Sequence, residues 1–76
     1  MNRLLAFDLG AESGRAVLGL FDGRQLRLEI LSRFANEPVR TPDGLHWDLL
    51  RLHHDMLAAL RKCAAAQGGA DSVGVD

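Results

Sequence analysis

Leu4-Leu5-Ala6-Phe7-Asp8-Leu9-Gly10-Ala11-Glu12-Ser13-Gly14-Arg15 decides how the rest of the chain is read. The run Leu4 to Phe7 is apolar without alternation and ends in an acid and a glycine, the pattern of a strand buried on both faces. Arg15 to Phe21 is a second strand-forming run, so Gly10 to Gly14 lies between two strands rather than between a strand and a helix. This placement excludes two nucleotide fingerprints. A Walker loop carries a lysine after its second glycine and opens a helix, whereas Gly14 is followed by Arg15 and a strand. The dinucleotide motif needs Gly-x-Gly-x-x-Gly at a helix start, which Gly10 and Gly14 do not supply.

A strand-turn-strand loop remains. Its glycines let the backbone approach a ligand closely, and its amides can form an anion-binding concavity. Ser13 adds a hydroxyl donor and Arg15 a fixed charge, and charge-assisted contacts of this kind contribute about 1.5 to 3 kcal/mol each. Asp8 stands where a carboxylate could hold Mg2+ through its water shell. Glu12 should point its carboxylate outward while its amide contributes. The spacing serves a plain hairpin turn equally well, with Asp8 and Arg15 paired across it.

Downstream, Asp22-Gly23 reads as a two-residue turn of the type that favours positive φ. Leu26, Leu28 and Ile30 then alternate with Arg27 and Glu29, as in a strand with one wet face, and Arg24 and Arg33 join that polar side. The alternation fails at Leu31 and Phe34, where a bulge or the end of pairing is expected, and Pro38 argues against a central strand beyond Asn36. Pro42-Asp43-Gly44 predicts a short edge hairpin between Val39 and Leu45.

Asp48 is the expected N-cap of an amphipathic helix whose apolar positions are 49, 52, 53, 56, 57, 60, 63 and 64. The helix should end near Gln67, with Gly68-Gly69 as the left-handed cap and Arg61 and Lys62 suiting the negative end of its dipole. Ser72 to Asp76 opens like another buried strand. The order is thus β-β-β-α-β, and one helix cannot cover both faces of such a sheet. Further layers are expected from sequence outside residues 1–76.

Composition narrows the class. The 76 residues make at most one small domain, and a chain this short buries only about 60% of its unfolded surface. Nine basic and ten acidic residues give a net charge of -1. That balance lacks the basic excess needed for a nucleic-acid backbone or an anionic membrane. Cys63 is the single cysteine, so no internal disulfide and no paired zinc spacing exist, which fits a reducing cytoplasm. The apolar runs are too short for a secretory signal or a membrane span.

Residues 5–15 resemble the first phosphate-binding motif of the FGGY carbohydrate kinases, members of the actin, hexokinase and heat-shock ATPase superfamily. Gly44-Leu45-His46-Trp47-Asp48, the helix that follows and Asp71 to Asp76 agree with it, so the likeness covers essentially the whole chain. The Gly-Ala-Glu-Ser-Gly-Arg form with Trp47-Asp48 resembles the branch acting on L-rhamnulose; xylulose and glycerol kinases more typically show Gly-Thr after the aspartate.

The resemblance implies a ribonuclease H-like α/β fold, residues 1–76 forming the incomplete start of the N-terminal domain and a C-terminal domain closing over ATP. It implies phosphoryl transfer from ATP to the 1-hydroxyl of the sugar. Ala11, Glu12, Ser13, Gly14 and Arg15 would contact ATP, with Asp8 near Mg2+. The partners implied are sugar, ATP and the rest of the same chain. The general base of the family lies far downstream, so no catalytic residue is assigned here and Asp48, Asp71 and Asp76 are not bases. Isolated residues 1–76 are expected to be inactive. Another FGGY kinase, for fuculose, xylulose or glycerol, and a non-catalytic actin-like ATP-binding module remain alternatives.

Several residues read more simply. His53 is expected to be a partly buried structural histidine and His54 a solvated one. His46 with Asp48 lacks a nucleophile or third group. Trp47 should pack the hairpin against the helix start, and Cys63 should be a small buried thiol.

Overall fold

The computed structural model describes residues 2–76. Strands β1 (Asn2–Leu9), β2 (Ser13–Phe21) and β3 (Leu26–Ala35) are followed by β4 (Val39–Thr41) and β5 (Gly44–His46). Helix α1 (Leu49–Gln67) and strand β6 (Ser72–Val75) complete the chain. The main sheet has the order β3-β2-β1-β6, while β4 and β5 form a separate two-stranded sheet. β1 and β2 pair antiparallel, as do β2 and β3, and the chain returns through α1 so that β6 runs parallel to β1. The molecule is therefore α/β with a mixed sheet.

One side of the sheet carries the core. Leu5 and Phe7 of β1, Ala16, Leu18 and Leu20 of β2 and Leu31 of β3 pack with Ala59 and Cys63 of α1. Each large apolar side chain buried this way contributes about 1.5 to 3 kcal/mol. The other side is open. Leu4, Gly19 and Leu28 are register partners, as are Ala6, Val17 and Ile30, which places them on the face away from α1. Leu28 is 65% exposed and Ile30 54%. The expectation that the first strand is buried on both faces is therefore not met, and the apolar side of Leu26, Leu28 and Ile30 lies uncovered. A single helix covers a single face. Val73 and Val75 share the register of Leu5 and Phe7 but lie at the sheet edge and are exposed, so the last strand is not a buried one here either. The radius of gyration is 14.2 Å, against about 11 Å for a compact chain of this length.

Local signals place most of the elements. The register shifts between Ala16 and Val17, where Ser32 and Ile30 are the partners and Leu31 is the extra residue. This is the bulge that the broken alternation predicts. Lys62 Nζ donates to the Leu31 carbonyl at 2.6 Å, supplying a partner where the ladder is disrupted. The turn after β2 differs from expectation. Its register joins Phe21 to Leu26, with the Asp22 carboxylate accepting from the amides of Arg24 and Gln25. The carboxylate thus closes a longer link in which Gly23 alone takes a positive φ.

The Asp48 carboxylate caps α1 by accepting from Arg51 N at 3.1 Å, and Gly68 ends it at φ 79° with its amide donating to the Cys63 carbonyl. The buried helix face keeps Leu52, Cys63 and, in part, Met56 and Leu60 of the expected set but is turned toward Ala59. Leu52, Ala59 and Cys63 are buried, whereas Leu49, His53 and Ala64 are exposed. His53 is thus not a buried structural histidine, because the sheet meets the helix along the Ala59–Cys63 line. Asp55, outside the expected apolar positions, is largely covered and pairs with Arg51 at 3.4 Å. No basic residue occupies the last helical turn, so Arg61 and Lys62 do not serve the helix end as expected.

Candidate functional site

The turn between β1 and β2 is built from backbone first. Gly10 N donates to the Ser13 carbonyl at 2.9 Å, closing the turn on itself. Ala11 and Glu12 stand exposed at its tip, Ser13 and Arg15 are half-buried and Gly14 is buried. Among the described residues nothing accepts from the amides of Ala11 or Glu12. Two successive uncommitted N–H groups on exposed residues are what an anion-binding concavity draws on. Glu12 is exposed, so its carboxylate need not crowd an anion held there.

The glycines serve a different purpose from the one their spacing suggests. Neither Gly10 nor Gly14 has a positive φ. At Gly14 a Cβ would lie 2.2 Å from the Phe34 ring. The close approach that requires glycine is therefore to Phe34 in β3, beneath the turn. At Gly10 a Cβ would lie 2.9 Å from the Ser13 carbonyl oxygen, so that glycine serves the turn's own closure.

Asp8 and Arg15 are brought together. They face each other in the register, and Arg15 Nη2 donates to Asp8 Oδ2 at 2.5 Å. The Arg15 side chain is 36% exposed and that of Asp8 50%. The plain-hairpin arrangement expected from the spacing is thus present, and it does not use up either group. A guanidinium has five N–H donors and a carboxylate a second oxygen. Arg15 can still contact a phosphate and Asp8 can still accept from metal-bound water. Among the described residues no group of three or more His, Cys, Asp or Glu could hold a metal ion. A single carboxylate suits Mg2+, which keeps much of its water and is held through one or two carboxylates plus substrate phosphates.

Beside the turn lies a largely apolar cavity of about 360 Å3, between Leu9 to Ala11 on one side and Trp47, Leu49 and Leu52 on the other, with Asn36 in its wall. Trp47 is 54% exposed and borders this cavity together with Leu49 and Leu52 from the start of α1. Asp76 continues the β6 ladder, its amide donating to Phe7 O and its carbonyl accepting from Leu9 N, both at 2.8 Å. That places it beside the turn. His46 pairs with Asp43 at 3.1 Å, not with Asp48. Asp43 also accepts from the Thr41 hydroxyl, and this bond and then His46 hold its carboxyl below the usual range. The cluster belongs to the β4–β5 hairpin.

One residue escaped sequence reasoning. Asn36 is 4% exposed; its Nδ2 donates to the Gly10 carbonyl at 2.5 Å and its backbone amide to the Glu12 carbonyl at 3.2 Å. Its only local signal is its position where the strand alternation ends, which reads as ordinary loop.

No protein-family model matches the chain. Curated relatives do. It is 37% identical over 78 aligned positions to the rhamnulokinase of Pectobacterium atrosepticum, covering all of this chain and 16% of that protein. Identity to the rhamnulokinase of Bacteroides thetaiotaomicron is 35% over 71 positions, 93% of this chain and 15% of the relative. For the rhamnulokinase of Halalkalibacterium halodurans it is 33% over 76 positions, again all of this chain and 16% of the relative. The chain thus spans about a sixth of the length of the curated relatives it matches. No described helix is long and apolar enough to cross a membrane.

Proposed function

We propose that this chain, similar along its whole length to rhamnulokinases, is the ATP-phosphate-holding part of a sugar kinase of the FGGY family. The observation that carries the reading is the turn at Gly10 to Ser13, whose tip amides at Ala11 and Glu12 are exposed and uncommitted. In this reading those amides, the Ser13 hydroxyl and Arg15 hold the phosphates of ATP, with the Gly14 backbone shaping the near strand. Asp8 holds Mg2+ through water, and the metal when bound supplies neutralising charge to the phosphates. The sheet is the first part of a ribonuclease H-like N-terminal domain, and the open face of β1, β2 and β3 is where further layers pack.

The reaction is transfer of a phosphoryl group from ATP to the 1-hydroxyl of L-rhamnulose. Such transfer depends chiefly on positioning and electrostatic stabilisation. The residues of this chain contribute the grip on ATP, while base and sugar contacts belong to other sequence. A cytoplasmic location, where ATP is available and a buried thiol such as Cys63 stays reduced, belongs to this reading.

The test uses the complete coding sequence that contains residues 1–76. ADP formation should depend on L-rhamnulose and be much slower with L-fuculose or D-xylulose. Equal or greater turnover of another ketose would reassign the sugar, and ATP binding without transfer to any sugar would favour a binding module. Residues 1–76 expressed alone should give no sugar-dependent ADP.

A further inference from the structure

We propose that Asn36 is the positioning residue of the phosphate turn, an inference that rests on the reading of that turn as the holder of ATP. Asn36 lies 26 positions from Gly10 and reaches the turn from the segment between β3 and β4. Its side-chain Nδ2 takes the carbonyl of Gly10 and its backbone N–H takes the carbonyl of Glu12. One residue therefore engages the carbonyls on both sides of Ala11. Carbonyl oxygens carry negative partial charge and oppose an anion. With the Gly10 and Glu12 carbonyls drawn to Asn36, and the Ser13 carbonyl to Gly10 N, the tip keeps the amide donors of Ala11 and Glu12 uncommitted among the described residues, against a single uncommitted backbone carbonyl, that of Ala11.

The side chain does this at a cost. Its Oδ1 is buried without a hydrogen-bond partner among the described residues, an unfavourable state for a polar atom. An apolar residue of similar size would avoid that cost but could not donate to Gly10. The amide orientation follows from its neighbour, since only the nitrogen can face a carbonyl oxygen. Asn36 touches neither ATP nor sugar in this reading. It acts by fixing which groups of the turn face the phosphates.

The experiment compares Asn36→Asp and Asn36→Leu with the parent in the complete coding sequence, with MgATP and L-rhamnulose varied separately. Asn36→Asp keeps the shape, removes the donor and sets a carboxylate against the Gly10 carbonyl. Its KM for MgATP should rise about tenfold near neutral pH, with the KM for sugar unchanged. As pH falls and the buried carboxyl takes up a proton, an O–H donor returns and the defect should shrink. Asn36→Leu should show the defect at every pH. A merely structural role would lower the active fraction, and so the apparent kcat, without the selective KM change or the pH-dependent recovery.

If the variants do not fold, hydrogen exchange of residues 33–38 in the unmutated protein serves instead. A non-hydrolysable ATP analogue should slow exchange of the Asn36 amide about tenfold by holding the turn closed. Unchanged exchange, or a KM for MgATP in Asn36→Asp within about twofold of the parent, overturns the role of Asn36 while leaving the phosphate turn intact. An unmutated protein that does not bind ATP overturns the phosphate turn and Asn36 together.

Discussion

Asp8 and Arg15 are opposed across the first hairpin at the mouth of the β1–β2 turn, where Arg15 Nη2 donates to Asp8 Oδ2 at 2.5 Å. Two charges proposed for opposite ligands, a metal and a phosphate, therefore neutralise each other without them. Pairing holds the guanidinium beside the turn, so that in the proposed reading an arriving phosphate would meet a charge already in position.

Arg15→Ala separates the structural from the binding role. Half-exposed ion pairs contribute about 0 to 1 kcal/mol, so stability in the complete protein should change by no more than that. A lost charge-assisted phosphate contact is larger, about 1.5 to 3 kcal/mol, or roughly 10- to 100-fold in affinity. Calorimetric titration with MgATP alongside denaturant unfolding makes the comparison. Unchanged nucleotide affinity would sink the assignment of Arg15.

At Gly14 the constraint comes from below the turn. A Cβ there would lie 2.2 Å from the ring of Phe34, so Gly14→Ala should destabilise by about 1 to 3 kcal/mol through overpacking. Phe34→Leu should restore part of that loss in the double variant, since it removes the ring atoms concerned. Denaturant midpoints of the two single variants and the double give the coupling. Simple additivity would show that the ring is not what requires glycine.

How much of this is legible in the sequence depends on the distance over which each feature is decided. Asp48 capping its own helix, Gly68 ending it, and Pro42-Asp43-Gly44 turning the small hairpin are settled within a few residues, and each is found where the sequence places it. The bulge at Leu31 is visible because an extra residue shifts the phase of a period-2 pattern. Features that depend on distant partners are not legible in this way. Whether Leu28 and Ile30 are covered depends on which layers are present, and α1 lies on the other face. The apolar residues of that helix predict one phase, yet the sheet meets Ala59 and leaves His53 exposed. Asn36 with Gly10, Phe34 over Gly14, and Lys62 with Leu31 join residues whose proximity only the fold creates.

Lys62 offers a test of the bulge. Its ammonium donates to the Leu31 carbonyl at 2.6 Å. Lys62→Met keeps the stem but removes the donor, leaving that oxygen without its partner, and should cost about 1 to 3 kcal/mol. Arg61→Met, at the neighbouring exposed position, should stay within about 0.5 kcal/mol. Equal effects of the two substitutions would mean that the Lys62 contact contributes nothing.

The β4–β5 hairpin should respond to acid through Asp43. The Thr41 hydroxyl, and after it His46, hold the Asp43 carboxyl below its ordinary value of 3.8. A carboxyl whose pKa is depressed by folding binds fewer protons folded than unfolded. Its contribution is therefore fully present above that ordinary value and is lost as pH falls through the lowered folded value. The hairpin should loosen only in that acidic window, and Asp43→Asn should abolish the response while leaving the neutral-pH hairpin weaker. Trp47, which follows β5 directly and is 54% exposed, is the probe. Its fluorescence should change on acidification through that window in the parent and stay flat in Asp43→Asn. A transition retained in Asp43→Asn would show that Asp43 is not the group responsible.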